Sequence, residues 1–544
     1  MSAATPRGTT SLPVSPTPVP APPLEGGVAD RGGAPMPQRG DVILDVRDLC
    51  TYFYTYDGVV RALDGVSFKV RRGETVGMAG ETGCGKSVTM FSALRLIPDP
   101  PGRTVSGKVL FQGANLLWGI ESEAKMKPIG TTGRVKVTRK FRRIKAANER
   151  MMAVRGHGIS MIFQEPTSAM NPLFPIYDQI GETLLLHRGT QLLEGLLSAT
   201  PDAPTVRPAL ERLAEAVERR AGPGEIRSLA KTAAEAIGAP SAETQLYYRA
   251  RDARQNPAGV LHQLTRSIHR FRISGAQRAY LRHQLGLIRS QERLKQIYMA
   301  EMRSGKLDRT AKINLRNRIR LQRWSHFYFS LWGIRGRISK PLKDELFWQT
   351  VRLLEGVQIA NPVQVARGYP FELSGGMLQR VMIAMALSSE PLLLMADEPT
   401  TALDVTIQAQ ILDLMRDLKQ RVGMGILLVT HDLAVIAEVA DRVCIMYAGQ
   451  IVENAAVKDL FAHPLHPYTQ GLLASIPRMD QPDKRLDSIP GSVPNLISPP
   501  TGCRFHPRCA YAMEICKKSR PPMTEEGNGH HVACFLYHGT PVTE

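Results

Sequence analysis

One run of eight residues has the composition of a phosphate-binding loop. It reads Gly80-Glu81-Thr82-Gly83-Cys84-Gly85-Lys86-Ser87 and fits the pattern G-x-x-x-x-G-K-[ST] at every position. Glycines let the backbone curl so that its N–H groups point at phosphate oxygens. Lys86 suits the β- and γ-phosphates of a nucleotide, and the Ser87 hydroxyl suits Mg²⁺. Cys84 occupies a variable position, so we assign it no redox role.

An acidic pair follows the apolar run Leu392–Met395. The carboxylate of Asp397 could hold Mg²⁺, either as a direct ligand or from the second coordination shell of the ion. Glu398 suits a general base that polarises the water attacking a phosphate. Acidic strand ends are common in isolation, so this interpretation depends on the phosphate loop.

The elements around these residues are those that a nucleotide site needs. Glu74–Ala79 is a short apolar strand that leads directly into the loop, and Ser87–Leu96 is compatible with a helix. A helix N-terminus behind the loop adds a favourable dipole for phosphate. Residues 373–450 alternate helix-like and strand-like runs, which predicts an α/β fold.

The run Leu373–Arg380, LSGGMLQR, precedes a helical segment and strongly resembles the signature motif of ATP-binding-cassette (ABC) ATPases. The resemblance implies a P-loop ABC ATPase fold, with a RecA-like core and a helical subdomain, that binds ATP and Mg²⁺. It further implies that the signature residues of this chain contact the nucleotide bound to a partner cassette. These residues are Ser374, Gly375, Gly376 and Gln379.

Other family elements occur in the expected order. Gln164 matches the glutamine loop, which touches Mg²⁺ and the transmembrane partner. Asp404, in Ala402-Leu403-Asp404, matches the D-loop, and His431, in a Thr-His-Asp triplet, matches the switch histidine that senses the γ-phosphate. For the aromatic residue that stacks on adenine we favour Phe53, with Tyr54 and Tyr56 as alternatives.

Four stretches narrow the resemblance to the ATPase subunits of oligopeptide/dipeptide importers. They are FQEPTSAMNP at 163–172, ADEPTTAL at 396–403, HPLHPYT at 463–469 and PPTGCRFHPRC at 499–509. The resemblance covers roughly 41–117, 151–188 and 344–534. It implies a second, often non-identical ATPase subunit, two transmembrane permease subunits and an external substrate-binding protein.

Composition divides the chain. Residues 1–40 contain nine prolines and six glycines, which predicts a disordered tail. We expect an ABC ATPase domain over 41–450, interrupted by insertions at 118–150 and 190–343, and a C-terminal importer-type extension over 451–544. The first part of the second insertion, 210–236, has a helical composition. No apolar run is long enough to cross a bilayer, and the N-terminus has no secretory pattern. We therefore expect a peripheral protein on the cytoplasmic face of the cell membrane.

The net charge of +19 is concentrated in one segment of the chain. Residues 249–343 contain 23 Lys/Arg and four Asp/Glu, so the rest of the chain is close to neutral. Basic and aromatic residues alternate over 316–337, a pattern that suits an anionic lipid surface. It also suits nucleic acid, and a solvated helical arm that contacts neighbouring subunits is the simplest interpretation.

Four of the seven cysteines lie near the C-terminus, at Cys503, Cys509, Cys516 and Cys534. Their irregular spacing favours a [4Fe–4S] cluster over a Cys₄ zinc site, with unliganded thiols as a third interpretation. His530 and His531 are either further ligands or bystanders. We expect a structural role, because nothing in the sequence indicates electron transfer.

Two other functions compete with peptide import. The same type of importer could carry nickel or short sugars, because the binding protein and permeases choose the cargo. A non-transport ABC ATPase acting on nucleic acid would explain the basic block. However, this chain has a single cassette without the far longer coiled-coil segments of repair-type members, and its C-terminus is importer-like.

Overall fold

The computed structural model describes residue 38 and residues 40–129, 134–255, 259–306, 309–330, 339–401, 404–476 and 489–537. Nearly all of the predicted N-terminal tail lies outside these ranges. So do residues 331–338 of the basic and aromatic stretch and the D-loop residues Ala402 and Leu403.

The strands occupy both ends of the chain and leave its middle helical. They are β1 (Val42–Tyr54), β2 (Val59–Arg71), β3 (Thr75–Ala79), β4 (Gly102–Phe111), β5 (Ala114–Asn115), β6 (Ala124–Ile129), β7 (Arg134–Arg139), β8 (Ile159–Ile162), β9 (Leu393–Asp397), β10 (Gly425–Val429), β11 (Arg442–Tyr447), β12 (Gln450–Ala456), β13 (Thr524–Glu525) and β14 (His531–Val532).

The helices before residue 340 include the long middle segment. They are α1 (Lys86–Ala93), α2 (Phe141–Met151), α3 (Pro166–Ala169), α4 (Ile176–Ser198), α5 (Val206–Glu218), α6 (Pro223–Ile237), α7 (Ala242–Ala253), α8 (Val260–Ile268), α9 (Gly275–Ser304) and α10 (Arg309–Ser330). Later helices are α11 (Lys340–Gly356), α12 (Pro362–Arg367), α13 (Gly375–Leu387), α14 (Val405–Val422), α15 (Leu433–Val439), α16 (Val457–Ala462), α17 (Pro467–Ala474) and α18 (Glu514–Lys518).

The central sheet has the strand order β13-β14-β12-β11-β3-β10-β9-β8. Strands β11, β3, β10, β9 and β8 run parallel, because helices connect them across the faces of the sheet. Strands β3, β9 and β10 are buried at every residue, as expected for parallel strands that are covered on both faces. A second, antiparallel sheet has the order β2-β1-β4-β5.

Apolar side chains on the two faces of the central sheet form separate cores. On one face, Val76 and Leu427 pack with Leu44 and other residues of the antiparallel sheet. On the opposite face, Leu394 and Leu428 pack with helices α4, α11, α13 and α14. This arrangement is an α/β core with an attached helical part, in agreement with the predicted fold class.

The middle of the chain has an apolar core of its own. Helices α5 to α8 enclose buried residues such as Leu213, Ile226 and Leu246. The helical composition predicted over 210–236 is present as two helices, broken where Gly222-Pro223 begins α6. The boundary expected at residue 190 falls inside α4, which continues to Ser198.

Two further details of the fold concern segments named in the predictions. The segment 118–150 contains the hairpin β6–β7 followed by the helix α2. Strand β1 extends to Tyr54, so the candidate adenine-stacking residues Phe53 and Tyr54 belong to a strand. Pairing of β1 with both β2 and β4 explains the extension.

Candidate functional site

The phosphate loop connects β3 to α1, as predicted. Gly80 has φ of +151°, and a Cβ atom there would lie 2.1 Å from the Met446 carbonyl oxygen. Gly85 has φ of +106°, and its Cβ would lie 2.8 Å from the Ala62 carbonyl oxygen. Both positions therefore require glycine, for backbone conformation and for space.

Lys86 is folded back across the loop. Its Nζ donates to the carbonyl oxygen of Gly80 at 2.8 Å and to that of Glu81 at 3.1 Å. Thr82 and Gly83 form the exposed tip of the loop, whereas the Cys84 side chain is fully buried. Burial raises the pKa of the Cys84 thiol, which favours its protonated form.

Ser87 and Asp397 come together at the start of α1. The Ser87 hydroxyl donates to Oδ1 of Asp397 at 2.9 Å. Asp397 is 2% exposed, and burial raises the pKa of its carboxyl group, although the Ser87 hydrogen bond opposes that shift. A hydroxyl beside a carboxylate is an oxygen donor set that suits Mg²⁺.

Glu398 is the centre of the reactive cluster. Gln164 Nε2 donates to one of its carboxylate oxygens at 2.9 Å, and His431 Nδ1 lies 3.1 Å from the other. The Thr401 hydroxyl also donates to the carboxylate, at 3.1 Å. The sequence prediction did not include Thr401, although this residue stands three positions after Glu398 within the stretch ADEPTTAL.

The sheet explains why these residues meet. Gln164, Glu398 and His431 follow β8, β9 and β10, which are adjacent parallel strands. The carboxyl ends of adjacent parallel strands lie at one edge of the sheet, where ligands bind in open α/β folds. Glu398 itself has φ of +45°, a strained conformation for a residue with a side chain, of the kind that concentrates at functional sites.

The signature residues divide into an exposed and a buried set. Ser374 caps α13 by accepting from the Met377 N–H, and both Ser374 and Gly375 are exposed. Gln379 is 3% exposed, and its Nε2 donates to the Pro399 carbonyl oxygen at 2.6 Å. Gln379 therefore stabilises the segment after Glu398 from inside the protein, whereas the helix N-terminus faces solvent.

Asp404 is at the N-terminus of the next helix. Its side chain accepts from the Ile407 N–H at 2.9 Å and caps α14. This cap fixes the start of the helix that follows the Glu398 segment.

The three candidate adenine-stacking residues differ in exposure. The Phe53 ring lies against Gly102 of β4, close enough that a Cβ on Gly102 would lie 2.7 Å from it. The Tyr54 hydroxyl contacts Met126 Sδ at 2.9 Å. Tyr56 is 82% exposed, so its ring is the most accessible of the three to a base.

Residues from the C-terminal extension reach the phosphate loop, which no sequence spacing indicated. The Arg508 guanidinium donates to both carboxylate oxygens of Glu81, at 2.8 and 3.0 Å. The Tyr468 hydroxyl accepts from the Glu81 N–H at 2.9 Å. Both residues stand in stretches that carried the family resemblance, 463–469 and 499–509, but their partner is about 400 residues away in sequence.

The four C-terminal cysteines line one small cavity. Phe505, His506 and Phe535 are also in its wall. Burial raises the pKa of the Cys503, Cys509 and Cys534 thiols, that of Cys534 to about 11. Over the ranges that the structure describes, no three His, Cys, Asp or Glu side chains stand close enough to hold a single metal ion.

The neighbouring histidines have other partners. His530 Nε2 lies 2.7 Å from the buried Glu453 carboxylate, and His531 Nδ1 lies 2.8 Å from the Gly529 carbonyl oxygen. These contacts favour the interpretation of both histidines as bystanders over their interpretation as further metal ligands.

Comparison with known proteins agrees with the geometry. A family model described as "ABC transporter" matches residues 63–216 and 252–401, and one described as "Oligopeptide/dipeptide transporter, C-terminal region" matches 452–516. The matched residues include 118–150 and much of 190–343.

Curated relatives match over almost their whole length. A probable peptide ABC transporter ATP-binding protein of Sinorhizobium fredii is 32% identical, with 91% of this chain and 96% of the relative covered. The oligopeptide transport ATP-binding protein AppD of Bacillus subtilis is 31% identical over 91% and 97%, respectively. The dipeptide transport ATP-binding protein DppD of Bacillus subtilis is 30% identical over 91% and 94%.

Proposed function

The chain belongs to the ABC transporter ATPases of the oligopeptide/dipeptide type, and we propose that it hydrolyses ATP to drive peptide import across the cytoplasmic membrane. The observation that carries this proposal is the combination of the Gln164–Glu398–His431 cluster with the C-terminal region matched at 452–516. The relatives named above as peptide or oligopeptide transport proteins support the cargo class.

Each residue of the site has a distinct role in hydrolysis. Loop N–H groups and Lys86 bind the phosphates, which requires Lys86 to leave the carbonyl oxygens that it now contacts. Ser87 and Asp397 would hold Mg²⁺, which neutralises developing phosphate charge. Glu398 accepts a proton from the attacking water, while Gln164 and His431 orient the Glu398 carboxylate.

We propose that two cassettes complete each ATP site. The N-terminus of α13 is exposed at Ser374 and Gly375, where its N–H groups and dipole suit the γ-phosphate on a partner. A non-identical ATPase subunit is the partner we propose. For adenine stacking we now propose Tyr56 in place of Phe53, because the Phe53 ring packs against β4.

The other partners follow from the importer assignment. We propose two transmembrane permease subunits and an external binding protein, with this chain bound peripherally at the cytoplasmic face. No helix in the described ranges combines the length and apolar character needed to span a membrane. The long basic helices α9 and α10 expose Arg293, Arg318 and Arg320, which supports contact with anionic lipid.

Affinity purification from membranes tests the importer assignment. A tagged chain should recover two multi-span permeases and a sister ATPase, and the assembled complex should take up labelled peptides in an ATP-dependent manner. The Glu398→Gln variant should assemble equally but not transport. Uptake of nickel or short sugars instead of peptides would show that the proposed cargo is wrong and identify the compound that is transported. Recovery of nucleic-acid-processing proteins without permeases would contradict import.

We also propose that the thiols of Cys503, Cys509, Cys516 and Cys534 hold a [4Fe–4S] cluster, with zinc as the alternative. The shared cavity supports a common ligand set, and the irregular sequence spacing of the four cysteines is the ground for preferring the cluster to zinc. When bound, the cluster would pin the surrounding loops together.

Metal analysis of the full chain, purified without oxygen, tests this proposal. The cluster predicts about four iron atoms and about four sulfide ions per chain. The Cys509→Ser variant should lose this iron and sulfide. Cys50→Ser, outside the cavity, is the matched control and should retain them. Stoichiometric zinc would select the alternative, and absence of both metals would leave free thiols.

A further inference from the structure

Glu81 of the phosphate loop is held from several directions by the C-terminal part of the chain. Its carboxylate accepts a bidentate pair of hydrogen bonds from Arg508, whose side chain is 6% exposed. Its backbone N–H donates to the hydroxyl of Tyr468, a residue with no exposed surface. Bidentate arginine–carboxylate contacts are among the strongest and most directional hydrogen bonds in proteins.

The groups that hold Glu81 are themselves fixed. Arg508 also donates to the Tyr447 hydroxyl at 3.3 Å and to the Pro490 carbonyl oxygen at 2.8 Å. The Tyr447 and Tyr468 rings pack with centroids 4.6 Å apart. Rigid partners of this kind position a loop without losing much conformational freedom themselves.

A second anchor lies behind Tyr468. The buried carboxylate of Glu453 accepts from the N–H groups of Leu465 and His466 at 2.8 and 2.9 Å. His466 Nδ1 in turn accepts from the Tyr468 N–H at 3.0 Å. The central sheet, through β12, therefore determines where the Tyr468 hydroxyl stands.

We propose that Arg508 and Tyr468 are positioning residues that set the affinity of the phosphate loop for ATP. In this structure Lys86 ties the loop together through the carbonyl oxygens of Gly80 and Glu81. Those ties break when Lys86 turns to the phosphates. The contacts of Arg508 and Tyr468 with Glu81 do not involve Lys86, so they keep the loop in shape during that exchange.

Loss of the Arg508 and Tyr468 contacts should weaken ATP binding and leave the rate of ATP hydrolysis nearly unchanged. The carboxylate of Glu398 is held by Gln164, Thr401 and His431, and neither Arg508 nor Tyr468 is among its partners. Without the two positioning residues, the loop must be ordered by ATP itself, which weakens affinity. The inference rests on ATP occupying this loop and is independent of the cargo.

ATP affinity of the full chain, measured by calorimetry in a Glu398→Gln background to prevent turnover, tests the proposal. Arg508→Gln should raise the Kd for ATP about tenfold, which corresponds to ~1.4 kcal/mol. Tyr468→Phe, which removes only a hydroxyl, should raise it about threefold. In the assembled transporter the same substitutions should raise KM for ATP and leave kcat nearly unchanged.

Further variants separate positioning from a general structural role. Arg508→Lys should recover part of the affinity, and Glu81→Gln combined with Arg508→Gln should be no worse than Arg508→Gln alone. Lys517→Gln is the matched control, because Lys517 forms an exposed ion pair with Glu514 in the same extension.

Three outcomes would overturn the proposal: a Kd within about twofold of the parent for Arg508→Gln and Tyr468→Phe, additive losses in the double variant, or an equal loss in Lys517→Gln. If Arg508→Gln does not fold, the Kd of Tyr468→Phe for ATP tests the proposal alone. The parent chain's own ATP binding tests the premise separately, because a parent that binds no ATP would remove the premise before any variant is compared.

Discussion

His466 predicts a specific loss of stability in mild acid. The side chain is 1% exposed, and its Nδ1 accepts the Tyr468 N–H. Protonation of Nδ1 would break that hydrogen bond and place a charge beside Phe505, whose ring centroid lies 5.7 Å away. Burial lowers the pKa of His466 from 6.5 to about 3.

The sign and size of the effect follow from linkage. Between pH 6.5 and about 3, the unfolded chain binds a proton at this histidine and the folded chain does not. The stabilisation is therefore complete above the unfolded pKa and is lost as the pH falls below it. At about 1.4 kcal/mol per pH unit, His466 costs ~2 kcal/mol of folding free energy between pH 7 and pH 5.

Guanidinium unfolding at pH 7 and pH 5 measures this term. Carboxylates and other histidines also respond to acid, so the informative quantity is the difference between variants. His466→Gln cannot titrate and should lose ~2 kcal/mol less than the parent on acidification. His463→Gln, at an exposed neighbouring position, should behave like the parent. Equal losses for parent and His466→Gln would refute the argument.

Three other outcomes follow from the structure. Glu398→Gln should lower ATP turnover by a factor of about 10²–10⁴ while ATP binding persists, because the variant removes only the proton acceptor; full turnover would contradict its role. Gly80→Ala should abolish ATP binding in a calorimetric titration, since its Cβ would lie 2.1 Å from the Met446 carbonyl oxygen. Leu213→Ala should destabilise the α5–α8 helical part by about 2–5 kcal/mol, as measured by denaturant unfolding, yet leave kcat of the folded chain unchanged.

The sequence was sufficient for the parts of the site that depend on local geometry. The phosphate loop requires glycine at Gly80 and Gly85, and that requirement is visible in the motif itself. Glu398 was identifiable because it follows an apolar strand in a chain with a phosphate loop, whereas His431 was identified by its resemblance to the switch histidine of ABC ATPases. The adjacent parallel strands β9 and β10 bring both residues to one edge of the sheet.

What the sequence could not supply were contacts set by the tertiary fold. Nothing local distinguishes Gln379 as a buried residue, because the same helix turn could present an amide to solvent or to Pro399. Phe53 was favoured for adenine from its position before the phosphate loop, but pairing of its strand with β4 places its ring against Gly102. Long-range partners such as Glu81 and Arg508 leave no periodicity to detect.

The pairing of Glu81 with Arg508 also bears on how the protein is made. The two residues are 427 positions apart, and a ribosome adding about 5–20 residues per second needs roughly 20–85 s to cover that distance. Throughout this interval the emerging loop already contains its glycines and Lys86 but has neither Arg508 nor Tyr468. On the positioning role proposed above, a chain that ends before Tyr468 and Arg508 would lack both contacts with Glu81 and would bind ATP more weakly than the full chain.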